Sequence, residues 1–297
     1  MNIWLKIALF ASLPALSHAH TMSPYVLPEV FDVQSNNISF QSGITVEKFY
    51  VPTSNFKTSY VVTDPSGKET SINAAASLKR FNVGEIDIPA DGTYRIRTQD
   101  AMGNPGKYAL VDGRWLRVRP ARPANAPANP KADEKKPATA ANVAPKSANP
   151  PRFIAADQLP ANAEIMDVKN HFIAETYVTK NKPSAIPKVS NKGFEVKLDS
   201  HPNQLFAGDT FKGQVLFNGK PVSGLEVDVF KGASSYQPSA NREQPHVKTN
   251  NKGEFSVEFK EPGLYLISTT YPEPNPDNTN KPASDSYTYS LSVEVTE

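Results

Sequence analysis

The sequence predicts an all-β chain, and three observations carry the prediction. Apolar residues recur with period two in short segments, Gly, Pro and Asn signals separate those segments, and no stretch holds a convincing helical period. Phe211, Val215 and Phe217 share one apolar face while Lys212 and Gln214 point the other way, and Leu225, Val227 and Val229 alternate with Glu226 and Asp228. The same alternation runs through Phe255, Val257 and Phe259, and through Leu291, Val293 and Val295. Antiparallel strands buried on one face have this pattern. Asn218-Gly219-Lys220-Pro221, the segment from Asn250 to Gly253, and Glu261-Pro262-Gly263 supply the turns. Short strands at this spacing predict two immunoglobulin-like β-sandwich domains. The Cys pair and core Trp that mark antibody domains are missing, so the pattern speaks to architecture alone.

In chain order, the first element is not a strand. Residues 1–19 carry one cation at Lys6, an apolar run from Ile7 to Leu16, and small residues at Ser17 and Ala19. That is the layout of a secretory signal peptide, with cleavage expected between Ala19 and His20. The mature chain would then begin at His20. No later stretch approaches the roughly 18 to 20 continuous apolar residues that span a bilayer. With no cysteine in the chain, the expectation is an exported, non-embedded protein of a bacterial periplasm.

Residues 20–118 form the first expected sandwich. Its strands are Ile38 to Phe40, Thr45 to Val51, Ser59 to Thr63, Gly84 to Ile88, Thr93 to Thr98 and Tyr108 to Val118. Asp64-Pro65-Ser66-Gly67 and Ala90-Asp91-Gly92 mark turns between them. Trp115, the one tryptophan left after cleavage, is expected in the core. Residues 119–152 turn abruptly to Ala, Pro, Asn and Lys with no aromatic residue, the composition of a disordered linker. At about 3.1 Å per residue such a chain reaches on the order of 100 Å when extended. Residues 153–297 form the second sandwich.

Composition also excludes function classes. A formal net charge of +2, evenly spread, excludes the electrostatic footprint of a nucleic-acid binder or a polybasic membrane-surface protein. Without cysteine there is no thiolate zinc site and no cysteine nucleophile, so any metal must be held by His, Met, carboxylate or backbone groups. The phosphate-cradling Gly-rich loop, the His-Glu-x-x-His helix and the Gly-x-Ser-x-Gly turn are all absent. The chain is therefore expected not to be an enzyme.

Histidine is the informative residue, because only His20, His171, His201 and His246 remain after cleavage. A mature N-terminal histidine offers an α-amino nitrogen and a ring nitrogen to one ion, a chelate that favours copper or nickel over harder cations. His201, in Ser200-His201-Pro202-Asn203, sits on a proline-stiffened turn and is the expected second imidazole; a turn-stabilising hydrogen bond competes with that role. His171 and His246 read as ordinary strand-edge or loop residues. The candidate metal ligands are thus His20 and His201, with a divalent transition ion, nickel, cobalt or copper, as the ligand.

Several segments carry a family resemblance. They are His20 with Pro24-Tyr25-Val26-Leu27-Pro28, Ala174 to Ser184, Gly193 to Val196, His201 to Gly208, Phe217 to Val222, Leu225 to Val227, Thr249 to Phe255, and Pro262 to Tyr265. Together they resemble a bacterial periplasmic family of unknown function often labelled as the periplasmic component of a cobalt or nickel transport system. The resemblance implies export, a β-rich build and a part in divalent-metal uptake, with a membrane metal transporter as partner. His20 and the His201 turn match the family pattern. The long Ala/Pro segment and the surroundings of Tyr236 depart from it.

The function expected from the sequence is a non-catalytic periplasmic metal-handling protein. Its affinity should fall below about pH 6.5, because the nitrogens must be neutral to bind. A tandem structural or adhesive module that binds protein or glycan without metal is the alternative, and a copper oxidase acting on polysaccharide is a third class.

Overall fold

The computed structural model describes residues 22–46, 52–99, 105–121, 151–232, 246–274 and 277–297. The described residues form strands and one 3-10 turn, Ala156–Gln158, with no α-helix among them. The all-β expectation holds.

The first strands are β1 (Met22–Pro28), β2 (Asp32–Val33), β3 (Asn37–Val46), β4 (Pro52–Ser54), β5 (Ser59–Thr63), β6 (Glu69–Asn73) and β7 (Ala76–Ser77). They are followed by β8 (Phe81–Asp87), β9 (Gly92–Thr98), β10 (Gly106–Val111), β11 (Arg114–Arg119), β12 (Phe153–Ala155) and β13 (Glu164–Lys180). The remainder are β14 (Phe194–Leu198), β15 (Thr210–Phe217), β16 (Lys220–Pro221), β17 (Glu226–Lys231) and β18 (Val247–Lys248), then β19 (Glu254–Glu258), β20 (Gly263–Tyr271) and β21 (Asp285–Val295).

Three sheets result. One has the order β1-β3-β8-β7, with β4 on β3; a second has β14-β15-β16, with β19 on β15. The third runs β12-β11-β10-β13-β21-β20-β17-β18 and also holds β2, β9, β5 and β6. Predicted strands and turns fall largely where the alternation and the Gly signals placed them, with two differences. Ile38 to Phe40 and the start of Thr45 to Val51 belong to one strand, β3, and residues 47–51 lie outside the described residues. Tyr108 to Val118 is a hairpin, not one strand, because Asp112 and Gly113 both take positive φ (50° and 75°) and turn the chain between β10 and β11. A two-residue Asp-Gly loop of that kind matches the twist of paired strands.

Strand β13 joins the molecule. It pairs in succession with β10, β21 and β9, and its end also pairs with β2. Side chains alternate between the faces of a strand, and here both faces are covered. Ile173 and Tyr177 enter the core of the C-terminal sandwich with Phe194, Phe211, Val227 and Leu291. Ala174 and Val178 enter the N-terminal core with Val26, Phe40, Tyr60 and Ile96. Continuous burial from Phe172 to Lys180 follows, which is why this segment shows no clean alternation in sequence.

The boundary drawn at the Ala/Pro segment does not coincide with a gap in the sheets. Arg117, Val118 and Arg119 of β11 pair in parallel with Phe153, Ile154 and Ala155 of β12. The described residues on either side of the segment, up to 121 and from 151, therefore belong to neighbouring strands of one sheet, and residues 122–150 lie outside the described residues. The Arg119 guanidinium stacks 3.4 Å from the Phe153 ring centroid, a contact that favours closing the excursion at its base. Trp115 is 5% exposed, as expected of a packed ring.

Buried charge ties the halves together. Arg97 of β9 lies 3.8 Å from Glu175 of β13 and 4.0 Å from Glu195 of β14, and donates to the Phe194 carbonyl at 3.0 Å. Glu175 also accepts from the Tyr177 and Tyr289 hydroxyls, at 2.7 and 3.2 Å. Burial beside this carboxylate pushes both phenols well above their ordinary pKa, so they stay protonated and keep donating. A buried carboxylate is tolerated only when satisfied in this way.

Candidate metal centre

The rule that hides Val227 and Val229 in the C-terminal core turns Glu226, Asp228 and Phe230 to the opposite face of β17. Across the ladder, Val227 pairs with Val247 and Glu226 with Lys248. Continuing that register by one residue sets His246 beside Asp228. The His246 Nδ1–H donates to Asp228 Oδ1 at 2.6 Å, and Glu226 Oε1 lies 3.3 Å from the same nitrogen. Thr269 Oγ1 donates to the Glu226 carbonyl at 2.8 Å and fixes the strand beneath it.

One imidazole and two carboxylates thus offer ligand atoms all within 4.8 Å of one another. A divalent transition ion binds nitrogen and oxygen at about 2.0 to 2.2 Å, which sets ligand atoms on the order of 3.3 Å apart around it. The three side chains are 20 to 27% exposed, dry enough to strengthen charge interactions and open enough for an ion to enter. Two carboxylates offset a dication's charge, and the ring adds a borderline-soft donor.

The expected ligand His201 sits elsewhere and in different company. Its Nδ1 accepts the Asn203 backbone N–H at 3.2 Å, which makes Nε2 the protonated nitrogen; that N–H faces the Ser184 carbonyl at 3.0 Å and Thr93 Oγ1 at 3.2 Å. Asn203 continues the network, donating to the Tyr177 carbonyl at 2.9 Å and accepting from Thr179 Oγ1 at 3.2 Å. Burial holds the ring's pKa below its ordinary value, partly opposed by the Ser184 hydrogen bond. A neutral ring with both nitrogens engaged serves the turn, the competing role seen in the sequence.

His171 stacks on Tyr287, with centroids 4.6 Å apart and planes 13° apart, and its Nε2 meets Asp285 Oδ1 at 3.0 Å. That hydrogen bond, with one from Ser284, lowers the Asp285 carboxyl's pKa. The other expected ligand, His20, and also Tyr236 lie outside the described residues; the nearest described residue to His20 is Met22. A concavity of about 420 Å³ beside Tyr177, Ile186 and Val196 contains neither carboxylate nor imidazole in its lining.

Sequence reasoning passed over His246. Glu226 and Asp228 were legible as the polar face of a strand, since alternation put them there. The missing piece was the return of the chain: His246 is 15 residues beyond the end of β17 in sequence, and only pairing of β17 with β18 brings the ring opposite Asp228.

This chain belongs to the family described as domain of unknown function DUF4198, whose model matches residues 17–273. No curated protein matches it. Among solved structures it is similar to the D0-D1 domain of intimin, at 12% identity and a TM-score of 0.22, over 92% of this chain and 97% of that one. It is also similar to the D00-D0 domain of intimin, at 11% identity and a TM-score of 0.20, over 93% and 100%. A third is the BSP domain of a biofilm-associated protein, at 10% identity and a TM-score of 0.19, covering 92% of this chain and 30% of that one.

Proposed function

We propose that this member of the DUF4198 family is a non-catalytic binding protein for a divalent transition metal, nickel, cobalt or copper, working in the periplasm to assist uptake or handling by a membrane transporter. The observation that carries the reading is the gathering of Glu226, Asp228 and His246 with ligand atoms within 4.8 Å. An imidazole and two carboxylates are a donor set suited to ligation and release. Its position on a strand pair at the sheet edge suits both: β17 is anchored by core valines, while the ligands stay partly open to solvent.

Calorimetric titration with nickel, cobalt, copper and zinc tests the reading. Binding of one ion that is weakened at least tenfold by Asp228→Ala and by His246→Ala supports it. Unchanged binding in both variants, with folding intact by circular dichroism, removes it.

A further inference from the structure

We infer that the outer edge of β14 is a docking site for an extended segment of a partner protein, which adds as an antiparallel strand and carries the pattern apolar, acidic, apolar. The inference does not depend on the metal reading above.

The backbone of β14 carries the argument. Among the described residues this strand ends its sheet and pairs with β15 alone. The Asp199 N–H donates to the Lys212 carbonyl at 3.0 Å, and the Asn218 N–H to the Gly193 carbonyl at 2.8 Å. Alternation along an antiparallel ladder then assigns the groups of Glu195 and Lys197 to β15, and turns those of Val196 and Leu198 to the outer edge. Val215, the partner of Val196, agrees: its N–H donates to the Gly253 carbonyl and its carbonyl accepts from the Val222 N–H. At Phe194 the outward carbonyl is taken by Arg97 at 3.0 Å. Beyond that point, the N–H and C=O groups of Val196 and Leu198 meet no protein partner among the described residues, although these residues are only 5 and 8% exposed. Buried backbone groups are nearly always paired, so an edge of this kind is a template for strand addition.

Space lies beside the edge. A cavity of about 420 Å³ is lined by Val196, Lys197 and Leu198 of β14 and by Ile186, Lys188 and Val189 of the segment before it. Both ends of that segment are anchored. Ser184 accepts from the Thr93 N–H at 2.8 Å and from the His201 ring at 3.0 Å, while the Ser190 N–H and hydroxyl donate to Glu195 at 2.8 and 2.9 Å. Between the anchors, Ala185 to Val189 make no backbone hydrogen bond among the described residues. The segment is a strap with no ladder of its own to break when a further strand takes up the roughly 4.8 Å it needs.

Side-chain alternation sets the sequence of the guest. Residues opposite Val196 and Leu198 project with them toward Tyr177 and Ile186 of the C-terminal core cluster, and so are apolar. The residue between them shares the outer face with Lys197. Lys188 and Lys197 are the charged residues of the cavity lining, so that middle residue is acidic. The Lys197 ammonium lies 3.1 Å from Asp199 in an exposed pair, a contact of little worth that leaves it able to turn to a guest carboxylate. A second copy of this chain fits less well. Antiparallel pairing of β14 with itself about Lys197 sets lysine against lysine, and like charges directly opposite are destabilising.

Amide-resolved nuclear magnetic resonance on the full chain tests this with three capped peptides: Thr-Val-Glu-Val-Thr, Thr-Val-Lys-Val-Thr, and the first of these with both valine nitrogens methylated. We expect the Glu peptide at saturation to slow hydrogen exchange at the Val196 and Leu198 amides by at least about tenfold. The Lys peptide should bind about tenfold more weakly. The methylated peptide has lost its donors to the Val196 and Leu198 carbonyls and should leave both amides unprotected. Lys197→Glu, with folding checked by circular dichroism, should reverse the order of the Glu and Lys peptides. Equal binding of the methylated peptide overturns strand addition, as does Glu-peptide binding that leaves both amides exchanging as before. Equal affinity for the Lys peptide overturns the acidic assignment. Protection of both amides in the peptide-free protein also overturns the inference, and protection that rises with protein concentration identifies a second copy as the occupant. So does failure of the Glu peptide to bind at concentrations on the order of 1 mM.

Discussion

His201, on the turn between β14 and β15, and His246, beside β18, show what decides the work of a histidine. Around His201 the hydrogen-bond partners among the described residues are neutral, a backbone amide, a carbonyl and a threonine hydroxyl, and burial favours the neutral ring. Around His246 the described neighbours include two carboxylates, Glu226 and Asp228. The first environment uses up both nitrogens in fixing a turn. The second brings two carboxylates and an imidazole within ligand distance of one another, the donor set a divalent ion uses. Ring placement on a turn or an edge is therefore a poor guide to ligation; the charge of the neighbours is the better one.

The sharpest break in this comparison is Asp228→Ala combined with His246→Ala. Metal affinity should fall by at least a hundredfold, about 2.7 kcal/mol, with the thermal unfolding midpoint of the metal-free protein moving little. His201→Ala should do the reverse. Removing a half-buried ring that satisfies the Asn203 amide and the Ser184 carbonyl should cost about 1 to 3 kcal/mol in urea unfolding, while the metal isotherm stays in place.

Acidity sharpens the contrast further. Because burial lowers the pKa of His201 in the folded chain, the unfolded chain takes up the proton first as pH falls. The stability contributed by the neutral ring is present above about 6.5 and is lost as pH drops from there through the folded value. Unfolding measured in metal-free buffer between pH 8 and 5 should show this decline, and His201→Gln should flatten it. The smallest expected effect is Glu226→Gln. Glu226 lies 3.3 Å from the ring nitrogen against 2.6 Å for Asp228, so neutralising it should weaken metal binding by less than about tenfold, or 1.4 kcal/mol; a larger loss would make Glu226 the principal anchor.

How much was legible in the sequence depended on the range of the cause. Strands such as Ser59–Thr63 and the alternation of β17 could be read because pleating fixes which side chains share a face from local order alone. The hairpin at Asp112-Gly113 was missed although its signal is local, because the apolar residues on either side, Tyr108 to Leu110 and Trp115 to Val118, read as one run. The Ala/Pro segment was visible by composition, yet composition carries no information on where its two ends sit, and pairing of β11 with β12 makes them neighbours.

By itself, the sequence determined the all-β class, the polar face of Glu226 and Asp228, and the scarcity of histidine. These follow from side-chain period and residue chemistry, which need no partner from far along the chain. Tertiary structure decided the rest: that β13 serves two cores with its two faces, that His201 is enclosed by neutral hydrogen-bonding groups, and that His246 meets two carboxylates. Each of these depends on contacts between residues distant in sequence, and pairing register, set by packing of the whole sheet, is what brings them together.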